Sequence, residues 1–304
     1  MASVLKRGPL LVVSALSVFF FLIVLRLRNE MNFLKLMSCF GRTGSGCVPA
    51  SDALRHPPTY HSGYINIGTH EPLHLDCDVC AVVSNSGQVL GQKTGPEIDR
   101  ATCVWRMNNA PTKGFSEDVG ERTTVRVVSH TSVPLLLRNP EHFFKEANGT
   151  VYVVWGPFRN MRADGKGIVY NMLKKTLQSY RDAKVYVTSE TRMNYCDEVF
   201  KKETGRDRVQ SGSYLSTGWF TLILAMEACE RIRVYGMIND TYCRTGGFRR
   251  VPYHYYEPGR DECDEYLLHE NAAHGGHRFI TEKRVFAKWA KLHNITFTHP
   301  DWAA

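Results

Sequence analysis

The chain has 304 residues, of which 43% are hydrophobic, 11% aromatic and 22% charged. That is enough apolar mass for one large domain or two small ones, and it excludes a disordered chain, a coiled coil and a disulfide miniprotein. The net charge of +8 does not mark a nucleic-acid binder, because residues 1–70 hold seven Lys/Arg against two Asp/Glu and leave only +3 for the remainder.

The chain opens with a short basic tail, residues 1–8, followed by a seventeen-residue stretch without a charge, Pro9 to Leu25. At ~1.5 Å per residue this stretch spans ~26 Å as a helix, a short membrane span suited to the thinner bilayers of the early secretory pathway. A cleaved signal peptide is the competing reading, but Leu25-Arg26-Leu27-Arg28 is a poor cleavage site. Residues 26–70 read as a stem, with scattered Gly, Pro, Ser and His and no sustained apolar period. The rest, 71–304, reads as the catalytic or binding domain. Nine cysteines and three acceptor sequons, at Asn148, Asn239 and Asn294, place it in an oxidising lumen. An uncleaved anchor with these features predicts a single-pass type II protein of the endoplasmic reticulum or Golgi. Cys77-x-x-Cys80 has no second pair at zinc-ribbon distance, so structural disulfides are the better reading.

Strands are expected at Cys80–Ser84, Cys103–Met107, Thr124–Ser129, Val151–Trp155, Lys184–Thr188 and Ile232–Gly236, each fairly uniformly apolar, as in strands covered on both faces. Helices are expected between and after them, at Gly167–Ser179, Thr191–Lys202, Thr217–Arg231 and Glu282–Leu292, the last capped by Thr281. Strands alternating with helices imply an α/β fold built on a largely parallel sheet flanked by helices.

Five places stand out for chemistry. Ser84-Asn85-Ser86-Gly87 ends a buried strand with a small polar turn, suited to a phosphate or sugar; a plain strand ending fits it as well. Asn108 follows the next strand and offers a donor and an acceptor to a base or ribose, or simply makes a turn before Pro111. Ser216-Thr217-Gly218, behind Tyr214, opens a helix that is apolar nearly all round, which is either an anion site or an ordinary cap. His254 lies among Tyr253, Tyr255 and Tyr256, and His277 stands five residues before Glu282. Either histidine is a candidate general base or a packed or exposed loop residue. The fingerprint G-x-G-x-x-G is absent, which disfavours a dinucleotide oxidoreductase. Asp76-Cys77-Asp78 imitates a metal-binding D-x-D but precedes its strand, and Asp261–Glu265 reads as a solvated helix start; no catalytic metal is expected.

In this order and spacing the segments resemble the eukaryotic sialyltransferase family. Its long motif is similar to Cys80 through Arg126, its short motif to Leu215-Ser216-Thr217-Gly218 through Cys229, its third motif to His254-Tyr255-Tyr256-Glu257, and its very short motif to His277 with Glu282. Ser129-His130-Thr131-Ser132 and His277-Arg278-Phe279-Ile280-Thr281-Glu282-Lys283 resemble the branch that places sialic acid α2,6 on N-acetylgalactosamine. The resemblance implies a Rossmann-like variant of the nucleotide-sugar transferase fold and an inverting transfer from CMP-sialic acid that needs no cofactor and no metal. It implies a sialylated glycolipid or glycoprotein as acceptor and the Golgi membrane as location. By the same resemblance His277 is the base, His254 meets the donor phosphate, and Asn85, Asn108, Tyr214, Ser216, Thr217 and Gly218 hold the donor. Cys80 and Cys229 match the bridge between the long and short motifs, and Cys77 is expected to pair toward the stem, with Cys39 or Cys47. A transferase acting on galactose and a silent lumenal glycan-binding protein are the rival readings.

Overall fold

The computed structural model describes residues 60–302 apart from Asn148. The expected tail, membrane span, most of the stem, Cys39, Cys47 and the Asn148 side chain lie outside the described residues. Among the described residues no helix is long and apolar enough to cross a membrane.

Nine strands form one sheet: β1 (Tyr60–Asn66), β2 (Pro72–His74), β3 (Cys77–Val83), β4 (Cys103–Met107), β5 (Val125–Ser129), β6 (Val151–Trp155), β7 (Lys184–Thr188), β8 (Cys229–Tyr235) and β9 (Ile295–Thr298). Their order is β2-β1-β7-β6-β5-β4-β3-β8-β9. The seven strands from β7 to β9 are parallel, and β1 and β2 add an antiparallel edge. The expected strands are therefore present, with β3 starting three residues earlier than the sequence suggests. Of the five longer helices, α1 (Ile168–Leu177), α2 (Glu190–Thr204), α3 (Thr217–Ala228) and α5 (Phe279–Leu292) pack against the sheet, and α4 (Glu262–Glu270) packs on α5.

Alternating side chains divide the core between two faces, as the pleat requires. Cys80, Val82, Val125, Val127 and Val153 face α2, α3 and α5, while Tyr152 and Val154 face α1 on the other side. Trp219 of α3 is fully covered, between Phe200 of α2 and Phe286 and Trp289 of α5. The chain steps from β3 outward through β4, β5, β6 and β7, then returns to place β8 on the other side of β3. This reversal opens a crevice past the C-terminal ends of β3, β4 and β8, the place where open α/β sheets hold ligands.

Several expectations need correction. The stem was read to residue 70, but Tyr60–Asn66 is already a sheet strand that pairs with β7. Helix α3 stops at Ala228 rather than Arg231, because Cys229 begins β8. Thr281 does not cap α5, which begins two residues earlier; Glu270 of α4 instead accepts the amides of Ile280 (2.9 Å) and Thr281 (3.2 Å) and the Thr281 hydroxyl. The Asp261–Glu265 segment does start a helix capped by Asp261, but Glu262 is buried rather than solvated. Cys77 bonds Cys103, not a stem cysteine, because the two sit on adjacent strands. Cys80–Cys229 forms as the family resemblance implies, and Cys243–Cys263 makes a third bridge. Among the described residues only Cys196 is free, and it is buried.

Candidate active site

The crevice is lined by Ser84–Ser86 after β3, Asn108 after β4, Ser216–Gly218 at the head of α3, His254, and His277 before α5. Asn85, Asn108, Ser216, Thr217, Gly218, His254 and His277 thus converge although as many as 192 positions separate them in sequence. Tyr214 stands beside them, half exposed, its ring centroid 6.4 Å from that of His277. A larger cavity opens at the N-terminal ends of β6 and β7, among Phe143, Tyr152, Tyr180 and Asp182, and carries none of the expected residues. Asp76 and Asp78 sit at the N-terminal end of β3, exposed, away from the crevice.

Each turn is built for close approach. A Cβ at Gly87 would lie 2.6 Å from the Pro252 ring, so only glycine lets the Tyr253–Tyr256 segment close over the Ser84–Ser86 turn. Asn85 donates to the Tyr256 hydroxyl (3.3 Å), and its buried Oδ1 has no partner. A buried unpaired acceptor costs free energy that a ligand N–H or O–H would recover. Asn108 has φ +50°, a left-handed turn that asparagine tolerates. Its Oδ1 accepts the Ser129 amide (3.0 Å), which leaves its Nδ2 to face the crevice.

The head of α3 is held by a carboxylate from another helix. Ser216 Oγ accepts the Trp219 amide (3.1 Å), as an N-cap does, and its own hydroxyl donates to Glu282. The Ser216 amide donates to the other Glu282 oxygen (2.8 Å). Glu282 is buried, and burial pushes its carboxyl up to about 7 against these hydrogen bonds. It therefore braces the helix start and does not touch His277.

The His277 Nδ1 lies 3.0 Å from the Tyr214 carbonyl. A carbonyl only accepts, so Nδ1 carries the proton and Nε2 of the neutral ring keeps its lone pair. Burial lowers the His277 pKa below its ordinary 6.5, and stacked His269 adds to the effect. The His254 ring is stacked between Tyr253 and Tyr256, and its Nδ1 is 2.7 Å from Glu257. That contact leaves Nε2 for a ligand.

Some lining residues were given no role from the sequence: Trp155, whose buried indole N–H has no partner, Met237, Tyr266 and Lys283, the last although it closes the His277–Lys283 motif. Nothing in local pattern separates Trp155, Met237 and Tyr266 from ordinary core residues. Asn294 is exposed and Asn239 partly so, the latter tied into its turn through Thr241 and Tyr242.

A largely parallel sheet with a switch-point crevice, a braced helix head, two histidines and two asparagines has the groups that a transferase acting on a nucleotide-linked substrate needs. The glycosyltransferase family 29 (sialyltransferase) model matches residues 62–296. The chain is 69% identical over 302 residues to the human alpha-N-acetylgalactosaminide alpha-2,6-sialyltransferase 3, covering 99% of each. It is 55% identical to the human alpha-N-acetyl-neuraminyl-2,3-beta-galactosyl-1,3-N-acetyl-galactosaminide alpha-2,6-sialyltransferase, over 81% of this chain and 82% of that one. A crystal structure of a mammalian sialyltransferase in complex with Gal-beta-1-3GalNAc-ortho-nitrophenol aligns at TM-score 0.47 and 24% identity, over 73% of this chain and 69% of the other. The chain belongs to glycosyltransferase family 29 and is a sialyltransferase.

Proposed function

We propose that this chain transfers sialic acid from CMP-sialic acid to the C6 hydroxyl of N-acetylgalactosamine in sialyl-α2,3-galactosyl-β1,3-N-acetylgalactosamine, carried on glycolipids and glycoproteins. The names of its relatives support the linkage and the acceptor. The observation that carries the chemistry is His277, with its Nδ1 proton tied to Tyr214 and its Nε2 free at the crevice.

The acceptor hydroxyl is a poor nucleophile, and Nε2 of His277 takes its proton as the oxygen attacks the anomeric carbon. The new C–O bond forms as the bond to the CMP phosphate breaks, with inversion, and CMP departs bearing the negative charge. The positive end of α3 and His254 meet that charge, while Asn85 and Asn108 hold the nucleotide. The reaction runs without metal in this reading. The support is the donor set: the one carboxylate among the lining residues, Glu282, is already spent on Ser216, and Asp76 and Asp78 stand at the far end of β3.

The same reading has a cytoplasmic tail at 1–8, a signal anchor at 9–25, a stem that ends before Tyr60, and a lumenal catalytic domain in the Golgi. The three disulfides of the described region support an oxidising compartment.

The test is transfer of labelled sialic acid by the full-length chain in detergent with EDTA present, to the sialylated acceptor and its unsialylated form. Product on the N-acetylgalactosamine C6, lost in His277→Ala, is expected. Product on galactose would overturn the acceptor assignment. A folded chain that binds CMP and transfers nothing would favour the silent glycan-binding reading.

A further inference from the structure

In the reaction proposed above the crevice takes two anionic substrates. CMP-sialic acid brings its phosphate and carboxylate to the donor end, around Asn85, Asn108 and the head of α3. The acceptor carries a carboxylate of its own, on a sialic acid one galactose away from the N-acetylgalactosamine that reacts. Like charges held in one crevice repel unless each meets its own cation.

The other end of the crevice lies past the C-terminal ends of β5 and β6, where Ser129, Thr131, Ser132 and Trp155 line it. The two loops are knit together there. The His130 amide donates to the Trp155 carbonyl (2.8 Å), and a Cβ at Gly156 would lie 2.6 Å from the His130 side chain. Two buried polar atoms at this end have no partner, the Trp155 indole N–H and His130 Nδ1. Burial, and then the charge of nearby Arg159, lower the His130 pKa, so its ring stays neutral. Arg159 follows Trp155 by four positions, in the single turn Phe158–Met161, and is exposed. Among the described residues it has no ion pair, and its side chain makes no hydrogen bond. Its neighbours are spent: Arg162 on Asp164, and Arg126 on the carbonyls of Asn108 and Ala110. Phe158 beside it is 42% exposed and offers an aromatic surface to a sugar.

We propose that Arg159 is a specificity residue that receives the carboxylate of the sialic acid already present on the acceptor. This rests on the acceptor reading above and gives it a residue; the donor is not involved. A planar guanidinium takes a carboxylate through two parallel hydrogen bonds, so it reads the shape of the group as well as its charge. An acceptor without that sialic acid leaves Arg159 in water, unpaired but solvated. The residue therefore acts by added affinity for the sialylated chain rather than by rejecting the other.

The test uses the full-length chain in detergent, with Arg159→Gln and Arg159→Lys. Three acceptors are compared: the sialylated trisaccharide, the same molecule with its carboxylate converted to the carboxamide, and the unsialylated disaccharide. Acceptor KM is measured by transfer and CMP affinity by calorimetry. The wild type is expected to show a KM ~10-fold lower for the carboxylate than for the carboxamide, the worth of one charge-assisted hydrogen bond. Arg159→Gln is expected to bring the two within about twofold of each other, while CMP affinity holds. Arg159→Lys keeps the charge without the fork and should recover part of the difference. Discrimination in Arg159→Gln equal to that of the wild type would overturn the proposal. So would an equal rise in KM for carboxylate and carboxamide, which would make Arg159 a structural residue, or a fall in CMP affinity by the same factor, which would place it on the donor. A wild type that treats carboxylate and carboxamide alike, yet prefers both to the disaccharide, would overturn it as well. A wild type with equal KM for sialylated and unsialylated chains would overturn the acceptor reading itself, and the proposal with it.

Discussion

At the scale of single residues, the most consequential contact is the one that fixes the His277 tautomer. The Tyr214 carbonyl holds the proton on Nδ1, and burial keeps the ring neutral. Both act in the direction a base needs, because only the neutral ring accepts a proton. The His277 pKa is lowered, so the active form dominates above it and activity is lost as pH falls through it. The acidic limb of the kcat/KM profile for the free enzyme is therefore expected to have its midpoint below 6.5. His277→Gln keeps a hydrogen-bonding group but cannot take the proton. It should lower kcat/KM by ~10²–10⁴-fold and flatten that limb. A variant that keeps the limb would assign it to another group. The residues that carry this site were legible because most of them end a strand or open a helix in a polar cluster, while His254 stands in a loop among tyrosines. The burial of Lys283, at the end of the His277–Lys283 motif, was not legible, because a lysine on an amphipathic helix looks solvated until the fold is seen to cover it.

At the scale of elements, the sequence is most informative where a strand is covered on both faces. Cys103–Met107, Val151–Trp155 and Lys184–Thr188 fall where the apolar runs place them. The edge strands were missed for a physical reason. β1 buries only His61 and Tyr64 of its seven residues, β2 has three residues, and β9 mixes Thr with Ile and Phe. The α3–β8 boundary was misplaced because an apolar run does not itself separate a buried helix from a buried strand. The pairing of α3 with α5 was also invisible, since Ser216 and Glu282 meet only through the fold. This pairing makes a sharp prediction. Ser216→Ala removes an N-cap, worth ~1 kcal/mol, and strands a buried Glu282 that has lost a donor, at ~1–3 kcal/mol more. Urea unfolding is expected to show a loss of about 2–4 kcal/mol. A loss of only ~1 kcal/mol would mean that Ser216 serves as a cap alone.

At the scale of the whole molecule, one topological reversal places the crevice, and one disulfide crosses it. Cys80 on β3 and Cys229 at the start of β8 join the two strands that flank the switch point, closing a loop of 149 residues. Cys77–Cys103 and Cys243–Cys263 close separations of only 26 and 20 residues. Cross-linking a longer loop removes more freedom from the unfolded chain, and the entropy model gives ~5 kcal/mol for the long bridge. Cys80 lies at the middle of β3, while the ligand turn begins past its end at Ser84. The bridge therefore stabilises the sheet without touching the donor, and the double variant Cys80→Ala/Cys229→Ala separates the two roles. It is expected to lose up to ~5 kcal/mol of stability, while CMP affinity at low temperature, in the fraction that remains folded, stays within a few-fold of wild type. CMP at 100 times its Kd should return about 2.7 kcal/mol of that loss, visible as a concentration-dependent rise in Tm. The contrary pattern, near-native stability with CMP binding abolished, would mean that the bridge shapes the crevice directly.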